Sequence, residues 1–185
     1  ADGLAVDLAR RQRGYGRGAR QTIEQDRAEI VAGVRHGLTL GSPILLLVRN
    51  RDWENWTQVM SVAPLAADEA EALRTASEEG NKRATPVTRG RPGHADLAGA
   101  LKYGFNDVRN VLERASARET AARVAAGGVA RAFLAELGIE AWSFTAEVGG
   151  VALDQASATR SREEADASPL RCPDPDAEAR MIARI

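Results

Sequence analysis

One cysteine, Cys172, stands in the whole chain. No internal disulfide framework can form, and such scarcity fits a reducing compartment. Aromatic side chains make up only 4% of the residues, which leaves few flat surfaces on which bases could stack. The longest purely aliphatic run is Ile44–Val48, far short of the roughly 20 residues that a membrane-spanning helix needs. Formal net charge is −1, so nothing global calls for a polyanionic partner. The pattern of His, Cys, Asp and Glu holds no metal-ligand cluster, and no P-loop or nucleophile-plus-base signature is present. The chain opens at Ala1 with neither a Met nor a charged-then-apolar leader, which reads as a processed, trimmed or excised start. A soluble, cytoplasmic protein is the expectation.

What is present is arginine and glycine in two places. Residues 8–23 hold five arginines (10, 11, 13, 17, 20) and no acid, and residues 82–118 hold eight basic groups against three acids. Two basic segments so far apart in sequence can converge on one anionic ligand, although a solvated basic face is equally compatible with charge alone. At 185 residues the chain can bury one sizeable core or two small ones.

Apolar spacing predicts a helix through residues 3–13, then a glycine-punctuated loop, GYGRGAR. AEIVAGV and SPILLLVRN read as strands, the second apolar enough to be covered on both faces. APLAADEAEALRTASEEG reads as a helix stopped by Gly80, and NKRATPVTRGRPGHAD as a long polar loop of the kind that is functional or disordered. A short helix through DLAGALKYG should follow, then a capped helix over 117–137 ended by Gly138. Its Gly127–Gly128 pair weakens helix propensity by about 1 kcal/mol per residue, tolerable where another backbone packs closely. IEAWSFTAEVGGVAL reads as a further strand. Together these predict an α+β layered sandwich, with helix 117–137 packed on strands 42–49 and 139–151. The final AEARMIARI has the pattern of a helix.

Three constellations can carry chemistry. In RRQRGYGRGAR, arginine forks match phosphate and carboxylate oxygens while glycines let backbone N–H groups approach them. The same segment also fits a loose RNA-binding stretch or a plain exposed turn. In RGRPGHAD, Pro92-Gly93 turns the chain and sets His94 just ahead of a helix whose first turn holds Asp96. A histidine there can exchange protons near neutral pH; alternatively Asp96 caps the helix and His94 is a surface residue. His36, in VRHGLT, is expected to be a structural turn residue. In RASARET, Ser116 and Glu119 have capping-box spacing, leaving Arg114 and Arg118 beside a helix start that favours anions.

In this order, RRQRGYGRGAR, GVRHGLTLGSPILLLVRN, RPGHAD and LKYGFNDVRNVLERASARETAARVAAG together resemble chorismate synthase, particularly its actinobacterial and Deinococcus-like branch. The resemblance spans nearly the whole chain and is densest at 8–50 and 88–130. It implies a layered β/α sandwich of the chorismate synthase type. It also implies an anti-1,4-elimination of phosphate from 5-enolpyruvylshikimate 3-phosphate, dependent on reduced FMN, with NADPH as a possible reductant. By the motifs, Arg11 and Arg17 match the pair that serves substrate and nicotinamide reductant. Arg114, Ala115 and Ser116 match the first flavin-contacting segment, and His94 matches the histidine acting as an acid towards reduced flavin.

The family's GESHG segment and its C-terminal half have no counterpart within residues 1–185. The chain is therefore expected to be a single partial domain, the N-terminal to central part of the core. A homotetramer, no membrane and no nucleic acid follow from the resemblance. The alternative is an Arg/Gly-loop nucleic-acid-binding module without catalysis, in which Tyr15 would be the nearby aromatic partner.

Overall fold

The computed structural model describes residues 2–13, 15, 25–154 and 161–185. These form helices and antiparallel strand pairs, an α+β chain that divides into two compact units. One unit comprises residues 1–48 and 123–185, the other residues 49–122.

The first unit opens with helix α1 (Asp2–Gln12), whose Leu4 and Leu8 are buried. Leu8 has no exposed surface, and enclosing a leucine contributes about 2 kcal/mol. Strand β1 (Ala28–Ala32) then leads into a small hairpin, β2 (Val34–Arg35) and β3 (Leu38–Thr39), before β4 (Leu45–Val48) returns antiparallel to β1. The pairing runs from Ala28 opposite Val48 to Ala32 opposite Leu45, with an irregularity between Ile30 and Ala32. Gly33 follows that bulge at φ 86°, and a Cβ there would lie 2.4 Å from the Pro43 carbonyl oxygen. Only glycine fits such a site. His36 is a turn residue at φ 51°, as expected of a structural histidine.

Two strand expectations need correction. β4 is not covered on both faces: Leu45 and Leu47 are 56% and 40% exposed while Leu46 and Val48 are half-buried. A two-stranded ribbon has one shielded face, so an unbroken apolar run must show its other face. Nor does 139–151 form one strand. Its regular part is a short hairpin, β5 (Glu147–Val148) and β6 (Val151–Ala152), turned by Gly149 and Gly150 at φ 59° and 84°. A Gly-Gly pair selects a two-residue hairpin turn, which ends a strand rather than continuing it.

The long helix α5 (Ala117–Glu136) ends as predicted, with Gly138 at φ 69° and the Ile139 N–H donating to the Leu134 carbonyl at 2.9 Å. Its buried line is Ala121, Ala125 and Gly128, and half of its residues are exposed. At Gly128 the neighbour is α1 rather than a strand: an added Cβ would lie 2.6 Å from Leu4 Cδ2 and 3.6 Å from Leu4 Cα. The pair is tied by Asp7, which accepts from Arg10 and from Arg131, each at 2.6 Å.

A second cluster gathers Cys172, Ala177 and Met181 against Val148, Val151, Leu153 and Leu170. Its helical members lie on α7 (Pro175–Arg184), the terminal helix expected from AEARMIARI, which follows a short helix, α6 (Arg162–Ala167). Asp174 caps α7 by accepting the N–H groups of Asp176 and Ala177 at 2.9 and 3.0 Å, ahead of Pro175. Beside this cluster Asp166 faces Arg171, Arg162 and Arg10. Burial alone would raise its pKa, but the three guanidinium groups leave it lowered.

The second unit contains a 3₁₀ turn (Trp53–Asn55) and helices α2 (Ala67–Glu78), α3 (Asp96–Tyr103) and α4 (Arg109–Ala115). Glu69 reaches back to the Ala66 N–H at 2.9 Å, and Gly80 ends the α2 segment at φ 88°. The loop between α2 and α3 is anchored at its middle. Asp107 accepts the N–H groups of Val87 and Arg109, the buried Arg109 donates to the Thr85 carbonyl at 2.9 Å, and Val108 N–H donates to the Val87 carbonyl at 2.8 Å. Arg109 also lies over the Trp56 ring, 5.2 Å from its centroid.

Candidate functional site

The anchored loop delivers the segment Arg89–Asp96 to the start of α3. Pro92 and Gly93 form the predicted turn: Gly93 has φ 68°, and the His94 N–H donates to the Arg91 carbonyl at 3.3 Å. His94 then precedes α3 with its side chain 35% exposed.

Asp96 does something other than cap the helix. Ala95 occupies the cap position, and the Asp96 carboxylate turns back to Arg91. Its Oδ2 accepts the Arg91 backbone N–H at 2.8 Å and Nε at 2.9 Å, while Oδ1 accepts Nη2 at 2.9 Å. This is a two-pronged guanidinium–carboxylate pair with a backbone donor added. Asp96 has no exposed surface, and the Arg91 guanidinium holds its carboxyl well below the usual carboxylate range. The Arg91 guanidinium pKa is raised in turn by the same bonds. His94 joins the pair through Nδ1, 3.2 Å from Arg91 Nη2 and 3.3 Å from Asp96 Oδ1.

In the same unit, Arg114 ends α4 with a side chain 81% exposed, its Nη1 3.5 Å from Glu119 Oε2. Ser116 breaks α4 from α5 in an extended conformation, and its Oγ accepts the Arg118 N–H at 3.2 Å. That is the serine half of the expected capping box; Glu119 faces Arg114. Ala115 lies between them, partly covered. The Arg118 guanidinium donates to the Arg49 carbonyl. An exposed guanidinium beside a helix start suits an anionic group such as a phosphate.

In the first unit, Arg11 closes the last turn of α1 and donates to Asp26 at 2.9 Å, in a pair whose side chains are only 10% and 2% exposed. Arg17 lies outside the described residues. Sequence reasoning placed Arg91 near His94 but missed Asp26 and the pairing of Arg91 with Asp96. The signals available were slight: Asp26 is an acid just past the arginine-rich segment, and Arg91 and Asp96 flank the Pro-Gly turn. Neither spacing says which acid meets which arginine. Among the described residues no group of three or more His, Cys, Asp or Glu could hold a metal ion, and no helix is long and apolar enough to cross a membrane.

A sequence model of the family described as chorismate synthase matches residues 1–185. The chain is 54% identical over 185 residues to the chorismate synthase of Rubrobacter xylanophilus, covering 100% of this chain and 44% of that protein. It is 56% identical over 189 residues to that of Symbiobacterium thermophilum, covering 97% of this chain and 44% of the relative. A solved structure described as "Crystal Structure of Chorismate Synthase" superposes with a TM-score of 0.64 at 36% identity, covering 100% of this chain and 43% of that one. The chain thus spans less than half the length of the curated relatives it matches.

Proposed function

The chain belongs to the chorismate synthase family over its whole length, and from that premise we propose that it works in the elimination that converts 5-enolpyruvylshikimate 3-phosphate to chorismate. In that step the C–O bond to phosphate and a C–H bond break in an anti-1,4 sense, and inorganic phosphate and a proton leave. Residues 1–185 form the N-terminal to central part of one catalytic core in this reading. The observation that carries it is His94, on an anchored loop, with Nδ1 beside Arg91 and the buried Asp96.

The substrate carries a phosphate and two carboxylates, so its recognition calls for guanidinium groups and backbone N–H donors. Arg11 and Arg17 are assigned to substrate and to NADPH as reductant. Asp26 then serves to orient the Arg11 fork. The exposed Arg114 and the extended break at Ser116 fit an anionic cofactor, and with Ala115 they would hold FMN. Reduced FMN, when bound, supplies the electron density that a non-acidic C–H requires for its loss. His94 exchanges a proton through its imidazole, and preorganised cations stabilise charge on the departing phosphate oxygen. A cytoplasmic homotetramer belongs to the same reading.

The test adds reduced FMN and 5-enolpyruvylshikimate 3-phosphate to the full-length protein. Release of inorganic phosphate with a transient change in flavin absorbance is the expected result. Neither signal, together with steeply salt-dependent binding to RNA, would replace this reading with that of a nucleic-acid-binding module.

A further inference from the structure

His94 Nδ1 has two neighbours at nearly the same distance, Arg91 Nη2 at 3.2 Å and Asp96 Oδ1 at 3.3 Å. An imidazole nitrogen bears either a proton or a lone pair, so Nδ1 can satisfy only one of them. Arg91 never gives up its protons and is always a donor. One hydrogen of its Nη2 goes to Asp96 Oδ1 at 2.9 Å, which leaves the second for the ring. The carboxylate already accepts three N–H groups from Arg91 and is enclosed. A proton on Nδ1 would set one N–H against another across 3.2 Å.

We propose that Arg91, locked in place by Asp96, is a positioning residue that holds the neutral His94 ring as the Nε2–H tautomer. Nδ1 accepts from Arg91, and Nε2–H is left on the other edge of the ring as a donor towards an anionic or electron-rich ligand atom. When the ring gains a proton, Nδ1–H must leave Arg91, and Asp96 Oδ1 is the acceptor within reach. One fixed pair therefore serves both protonation states. This inference deepens the proton-handling role given to His94 and rests on that reading for its catalytic consequence. The tautomer itself is a property of these three side chains.

The experiment is nitrogen-15 NMR of the full-length protein with labelled histidine and arginine, at a pH where the ring is neutral. The His94 signals are assigned by their loss in His94→Gln. The expected spectrum has a protonated, pyrrole-type Nε2 and an unprotonated Nδ1, with a coupling across the hydrogen bond to Arg91 Nη2. In Arg91→Leu only Asp96 remains beside Nδ1, and the proton should move to Nδ1. A pyrrole-type Nδ1 in the unmodified protein overturns the proposal, as do tautomer populations unchanged in Arg91→Leu. If Arg91→Leu does not fold, the coupling to Nη2 decides, since its absence is equally fatal. These shifts are independent of turnover, so the tautomer and the proton-handling role can fail separately.

Discussion

A carboxylate with no exposed surface stays charged only if donors replace the water it has lost. Asp96 meets that condition chiefly through Arg91, which supplies a backbone N–H and two guanidinium N–H groups. Because its folded-state pKa is lowered, ionised Asp96 stabilises the fold at pH values above the ordinary carboxylate pKa of about 4. That stability is lost progressively as pH falls below this value. Asp96→Asn removes the titration, so the pH dependence of unfolding free energy between about pH 4 and 2 should flatten, by up to one proton in the linkage slope. Urea denaturation across this range measures it, and an unaltered slope would mean that Asp96 is not the carboxylate responsible. Arg11 and Asp26 pose the related question of a nearly enclosed ion pair. Removing one partner leaves a charge in a poorly solvated place, and Asp26→Ala should cost about 3 kcal/mol. Thermal or urea unfolding checks this, and a loss below about 0.5 kcal/mol, typical of surface pairs, would place the pair in effectively aqueous surroundings.

At the scale of elements, the helices were legible because their signals are local. Gly80, Gly104 and Gly138 all follow helices with positive φ, and the helix at 96–103 lies where DLAGALKYG placed it. The strands were less legible, since whether an apolar run is covered once or twice depends on what packs from elsewhere in the chain. Leu45 and Leu47 carry no mark that distinguishes an exposed face from a core one. The separate helix α4 was also missed, because its start is fixed by Asp107, which accepts the N–H groups of Arg109 and of Val87 in a distant loop. For the site, the positions of His94, Arg114 and Ser116 relative to helix ends were readable, but the Arg91–Asp96 bond was not, because an arginine near several acids in sequence has no preferred partner. The Gly127–Gly128 pair shows how far local reasoning reaches. Both glycines cost helix propensity, yet among the described residues only Gly128 meets a neighbour; a Cβ on Gly127 would have none of them within 4 Å. Gly127→Ala should therefore stabilise the protein by about 0.5–1 kcal/mol. Gly128→Val should destabilise it by about 1–3 kcal/mol through overpacking on Leu4. Chemical denaturation of the two variants compares them directly, and equal effects would refute the close approach of α1. Gly99 makes the corresponding contact in the other unit, where an added Cβ would lie 2.4 Å from Val111 Cγ1. Valine has little rotamer freedom in a helix, so Gly99→Ala should also cost about 1–3 kcal/mol and loosen the seat of α3.

For the molecule as a whole, a net charge of −1 hides a division of labour among its arginines. Arg91, Arg109, Arg131, Arg162 and Arg171 are bound by internal acceptors and build the fold. Arg114 keeps most of its surface open. On the proposed reading, the cations that recognise an anionic ligand are separate from the group that moves a proton, and the two functions should fail separately under mutation. Arg17→Ala in the full-length protein should weaken substrate binding by about 1.5–3 kcal/mol, the usual effect of losing a charged hydrogen bond. Calorimetric titration with substrate measures this, and unchanged affinity would remove Arg17 from the binding set. His94→Ala should act differently. With fully reduced FMN supplied, so that flavin reduction cannot limit the rate, turnover should fall by about 10²–10⁴-fold, the range for a positioned acid or base. Substrate and flavin affinity should change far less, because the arginines remain. The anchored loop makes this a fair test: Val87, Thr85 and the Arg91–Asp96 pair hold the backbone through bonds that do not involve the imidazole. A slow enzyme is then a consequence of the missing ring, not of a displaced loop. Near-normal turnover of His94→Ala would leave the histidine as a residue at the entry to α3 and return the proton step to groups outside this loop.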